Sequence, residues 1–173
     1  MKYDWLDEGT FHMMLPDRLV NTWRGAGSPD YDRACSESDE WLTLLTIGDS
    51  QGLVLGGDPG MVLVLPCDSE LPVLIRWIYA DDEQELIDFA LRGEPVMDTS
   101  PDVVWENQDT SWSLFDAAAY PPQDRPGIRR VRLPVGRLRV ETAFVEAGAN
   151  SAVIHRFTRV SGSSLSGEHQ KAK

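Results

Sequence analysis

Trp41-Leu-Thr-Leu-Leu-Thr-Ile47, Gly52-Leu-Val-Leu-Gly56, Met61-Val-Leu-Val-Leu-Pro66 and Pro72-Val-Leu-Ile-Arg-Trp-Ile-Tyr79 follow one another closely along the chain. Each run is too short for a stable helix and is rich in branched or aromatic side chains. Turn residues separate them: Gly48-Asp49-Ser50, Gly57-Asp58-Pro59-Gly60 and Cys67-Asp68-Ser69-Glu70. Short apolar runs with such punctuation read as strands of an antiparallel meander. Met61 to Leu65 is continuously apolar, which predicts a central strand covered on both faces. Trp41 to Ile47 shows interrupted alternation.

The far end of the chain repeats the pattern. Arg129 to Leu133, Arg137 to Ala147 and Ala152 to Val160 read as three strands, the last two joined at Gly148-Ala-Asn150. In the middle one, Leu138, Val140, Thr142 and Phe144 share a face, opposite Arg137, Arg139 and Glu141. Helical signals are few. Pro16-Asp17 opens a short segment through Trp23, closed by Gly25. Asp82 to Arg92 is a second, stopped by Gly93 and Pro95. There Leu86, Phe89 and Ala90 share one face while Asp81, Glu85, Asp88 and Arg92 recur on the other, so the helix should lie on the sheet with its acidic face outward. The expectation is an α+β fold, mainly antiparallel sheet with one or two short flanking helices, for which a two-layer sandwich is one arrangement. Residues 1–160 read as a single domain. Pro121 to Gly127 reads as a loop within it, and 161–173, without apolar periodicity, as a disordered tail.

With 173 residues the chain can bury a sizeable core without staples. Cys35 and Cys67 make no CxxC pair and read as buried, reduced thiols. The N-terminus has no apolar signal segment and no stretch approaches a membrane span, so the expectation is a cytoplasmic protein without a membrane partner. The net charge is -12, unevenly spread: residues 1–124 carry -19 and residues 125–173 carry +7. That excess of acid argues against nucleic acid and suits a basic partner, though solubility alone explains acidity equally well.

The motifs that would signal chemistry fail on spacing. His12, His155 and His169 form neither HxH nor HExxH, and His12 and His155 lie on candidate strands far apart in sequence, so both read as structural. Asp30-Tyr-Asp32 begins like a calcium loop, but Ala34 and Cys35 stand where an oxygen ligand and a glycine are needed. A turn opened by Pro29-Asp30, with Arg33 pairing a carboxylate and Tyr31 packing its ring, explains the stretch; a contact surface is the other reading. Gly25-Ala-Gly27 lacks the third glycine of a dinucleotide fingerprint, Gly56 to Gly60 lacks a phosphate-loop lysine, and no GxSxG elbow is present. The sequence therefore predicts no metal and no organic cofactor. The six tryptophans read as core in preference to a sugar platform.

Ser28-Pro-Asp-Tyr-Asp-Arg-Ala-Cys35, Leu53-Val-Leu-Gly-Gly-Asp-Pro59 and Ile75-Arg-Trp-Ile-Tyr-Ala-Asp-Asp-Glu83 together resemble the pattern of immunity protein family 21, from about Trp5 to about Val160. These are small bacterial proteins understood to protect a cell from a polymorphic toxin encoded beside them. The resemblance implies a non-enzymatic protein that binds and neutralises a cognate toxin by occlusion; it carries over no catalytic residue, fold or named toxin. An acidic surface suits a toxin with a basic cleft, such as a nuclease. The residues expected to meet it are Asp81, Asp82, Glu85 and Asp88, with Asp30, Tyr31 and Asp32 second. For the first group, helix capping plus solubility is an equally good account. The competing functions are a carboxylate-dependent hydrolase and a carbohydrate- or ligand-binding β-sandwich.

Overall fold

The computed structural model describes residues 3–7, 9–38, 41–57, 60–66, 71–93, 95–119 and 127–160. Within them lie ten strands: β1 (His12–Pro16), β2 (Thr43–Ile47), β3 (Ser50–Leu55), β4 (Val62–Leu65), β5 (Val73–Tyr79), β6 (Val96–Asn107), β7 (Ser111–Asp116), β8 (Arg129–Arg132), β9 (Gly136–Ala147) and β10 (Asn150–Arg159). A 3-10 turn covers Asp17–Thr22, and the two α-helices are α1 (Pro29–Glu37) and α2 (Glu83–Arg92). The strands form two five-stranded sheets with antiparallel pairing throughout: β2-β3-β1-β7-β8, the first sheet, and β4-β5-β10-β9-β6, the second.

Period-2 alternation divides the apolar side chains into three layers. Between the sheets, Met14, Leu53 and Leu114 of the first meet Leu74, Val140 and Phe157 of the second. On the outer face of the first sheet, Met13, Leu15 and Val54 pack against Val20 of the 3-10 turn and Ala34 of α1. On the outer face of the second, Ile75, Val145 and Ile154 pack against Leu86, Phe89 and Ala90 of α2. The expected α+β class and sandwich are present, with a helix over each outer face, and α2 turns its acidic side out as its periodicity predicts.

Four sequence expectations need correction. The four central runs do not make one meander: β2 and β3 pair in the first sheet, β4 and β5 in the second. The other partner of β3 is β1, whose Leu15 lies directly over Gly52, where a Cβ would come within 2.3 Å of its Cδ2. β4 is an edge strand, not a central one. Its unbroken apolar run is nonetheless physical, because Val62 faces the inter-sheet core while Leu63 faces the α2 layer. Leu6 shields the outer edge of β4, exchanging backbone hydrogen bonds with Val62 at 2.8 and 2.9 Å.

The third correction is α1, read as a turn from sequence. Ser28 Oγ accepts the Tyr31 amide at 3.2 Å, and Pro29 occupies the first helical position, where its missing N–H costs nothing. The same helix overturns the burial expected of Cys35, which points away from the sheet and is an exposed free thiol. β1, β6 and β7 complete the sheets. The expectations for residues 58, 59, 67–70, 121–126 and 161–173, Cys67 and His169 among them, lie outside the described residues.

Candidate functional site

Asp82 is the N-cap of α2: its carboxylate accepts the Glu85 amide at 2.8 Å, next to the positive end of the helix dipole. Asp81 accepts the Tyr79 hydroxyl at 3.2 Å. Glu83 is held by Trp5, whose indole Nε1 donates at 2.6 Å while its ring packs edge-on against Trp77. Tyr3 donates to Gln84, and Gln84 donates to Asp88, each at 2.9 Å. Every one of these donors is neutral. Among the described residues no ion pair involves a carboxylate of residues 81–88, so none of this ridge's acid is neutralised by a salt bridge there.

Asp30, Tyr31 and Asp32 sit on α1, on the opposite outer face of the sandwich, so the structure does not bring them together with the α2 group. Arg33 lies 3.5 Å from Asp30 and 4.0 Å from Glu37 and also donates to the Thr46 carbonyl. Tyr31 stacks on Phe11 with ring centroids 5.4 Å apart. Burial first, then the Cys35 thiol, pushes the Tyr31 hydroxyl pKa up. The expected Arg33 pairing and Tyr31 packing are thus both present, on a helix in place of a turn.

The two buried histidines share the space between the sheets. His12 projects inward from β1 beside Met14, and His155 inward from β10 beside Phe157. Desolvation, with the field of buried Arg76 second, lowers the His12 pKa to about 4 and the His155 pKa to about 3. Asp116 opposes this weakly at His12. Thr142 Oγ1 and His155 Nδ1 are 2.9 Å apart, and Arg76 donates to the Gly56 carbonyl. Two neutral rings under a guanidinium field are poorly placed for a metal cation. Among the described residues, no three His, Cys, Asp or Glu side chains are grouped to hold one.

A cleft of about 360 Å³ at one end of the sandwich has Asp49 and Glu106 on its rim and Trp105 and Trp112 behind it. Arg18 contacts Asp49 at 2.8 Å and lowers its pKa, the reverse of what a general acid needs, and Arg137 lies 3.9 Å from Glu106. Trp105 and Trp112 are buried against each other, and Trp41 and Trp77 are half-buried against Phe144 and Trp5. None is an open sugar platform.

Sequence reasoning missed what surrounds the acidic ridge. Seven large apolar side chains are exposed among the described residues, and five of them, Ile78, Tyr79, Leu91, Val96 and Met97, lie between the end of β5 and the start of β6. Their signal was in the sequence only as apolar residues outside the α2 core stripe.

Fold and surface thus define a double-sheet protein that presents an uncompensated acidic helix edged by exposed apolar groups. The immunity protein 21 family model matches residues 4–151, and the chain belongs to that family. Nothing among curated proteins or solved structures matches it. Among the described residues no helix is long and apolar enough to cross a membrane.

Proposed function

We propose that residues 1–160 act as one unit that binds a cognate toxin in the cytoplasm and neutralises it by covering its working surface. The recognition surface is the outer side of α2, with Asp81, Asp82, Glu85 and Asp88. The observation that carries this reading is the coincidence of unpaired acid with the exposed apolar side chains of residues 78–97. Interfaces place apolar and aromatic anchors within a polar rim, and solubility alone would favour neither Tyr79 nor Met97 at the surface. The partner's complementary surface is basic, as the substrate cleft of a nuclease is. No chemistry by this chain is needed, since occlusion suffices.

The test is the association rate with the toxin encoded by the neighbouring gene, measured at low and at physiological salt. Association should slow as the Debye length shortens to about 8 Å. Glu85→Lys should slow it further while the fold stays intact, because an exposed rim charge acts on encounter. Binding indifferent both to salt and to Glu85→Lys would move the recognition surface elsewhere, and the α1 face around Asp30, Tyr31 and Asp32 would be the next to try.

A further inference from the structure

The acidic ridge has one feature that steering does not require. A groove of about 250 Å³ runs between α2 and the end of β4. Its helical wall is Gln84, Ile87, Asp88 and Leu91, the i, i+3, i+4, i+7 stripe next to the one that seats α2 on the sheet. Leu65 and Val73 form the opposite wall and Tyr3 closes one side. Ile87 is buried at the bottom, but Leu91, 45% exposed, leaves an apolar side chain in water at the mouth.

The polar groups of the groove are already oriented. Tyr3 Oη donates to Gln84 Oε1, which turns the amide so that Nε2 donates to Asp88 Oδ1, each at 2.9 Å. Asp88 Oδ2 has no hydrogen-bond partner among the described residues, and no cation there pairs with the carboxylate.

We infer that this groove is a socket for one lysine or arginine side chain of the toxin, a deepening of the surface assigned above that rests on it. The methylene stem lies along Leu65, Val73, Ile87 and Leu91, as long cationic side chains do on apolar surface, and the charged head meets Asp88. A leucine or phenylalanine would fill the trough but strip water from Asp88 without a partner, and an acidic side chain would be repelled. A second copy of this chain, itself at -12, is disfavoured for the same reason.

Rim charges and socket residues act on different rates, so the two readings fail separately. Dissociation of the neighbouring gene's toxin is measured for the wild type, Asp88→Asn and Leu91→Ser, and each variant should dissociate roughly tenfold faster or more. Replacing the toxin's lysines and arginines by alanine one at a time should find one residue whose loss abolishes the effect of Asp88→Asn. If Glu85→Lys slows association but both socket variants dissociate at the wild-type rate, the socket is overturned and the surface stands. It is equally overturned if Asp88 couples to no basic residue of the toxin. Silence of all three variants would sink both.

Discussion

The two α-helices cover equivalent places, one over each outer face of the sandwich, and each starts with a side-chain cap and acid in its first turn. Their electrostatics differ. On α1 a single arginine, Arg33, lies within 4.0 Å of both Asp30 and Glu37, so two of its three carboxylates are answered within their own helix. On α2 the carboxylates are held by indole, phenol and amide donors that orient them without neutralising them. Exposed apolar side chains gather at the ends of α2 as well. The difference teaches that acid content does not locate a recognition surface in a chain this acidic; acid that the fold leaves unanswered does.

The largest test of the comparison concerns what seats each helix. Phe89 is the bulkiest α2 side chain in the outer layer of the second sheet, whereas α1 buries only Ala34 and half of Tyr31. Phe89→Ala should lower unfolding free energy by about 3–5 kcal/mol in denaturant titration and weaken toxin binding with it. Leu63→Ala, beneath the same helix, should cost about 2–5 kcal/mol. A change below 1 kcal/mol at Phe89 would mean that α2 is not held by this face.

Acid attacks the layer both faces share. The folded pKa values of His12 and His155, about 4 and about 3, lie below the ordinary 6.5, so the unfolded chain binds more protons in between. Stability should therefore be full above pH 6.5 and fall as pH drops, by about 1.4 kcal/mol per pH unit for each histidine, until each folded pKa is reached. His155→Gln should halve the slope between pH 6.5 and about 4, where His12 still titrates, and remove it between about 4 and 3. An unchanged slope in that variant would refute the assignment.

Much of this was legible in the sequence, for identifiable reasons. β2, β3, β5, β9 and β10 announce themselves because most of their buried residues are apolar and glycine marks the β2–β3 and β9–β10 turns: Gly48 and Gly148 both adopt positive φ, 61° and 59°. The division of the meander between sheets was not legible, since pairing of β3 with β1 depends on how Leu15 fits over Gly52. β6 escaped because most of its outer half is exposed, Pro101 interrupts it, and its register with β9 shifts twice. Pro is tolerated there because β6 is an edge. β7 hides a buried Ser113 between Trp112 and Leu114. The acidic side of α2 follows from helical period alone. The period could not tell that Leu91 would remain exposed, nor that Arg76 would be buried beside two histidines.

The caps offer a smaller test. Ser28→Ala and Asp82→Ala each remove one acceptor from a helix N-terminus and should cost about 1 kcal/mol. Only Asp82→Ala should also slow toxin association, because it alone removes charge from the open ridge. Equal association in the two variants would erase the distinction between the faces.

The smallest effect carries the sharpest test. Arg33→Ala removes the cation that answers Asp30 and Glu37 and leaves α1 as uncompensated as α2. The lost surface pairs are worth about 0–1 kcal/mol, so stability should barely move. Toxin association should stay within about twofold of wild type, since the added negative field lies on the far side of the sandwich, beyond the screening length at physiological salt. If Arg33→Ala accelerates association strongly, unanswered acid on either face captures the toxin, and the exposed apolar groups around α2 play no part in choosing between them.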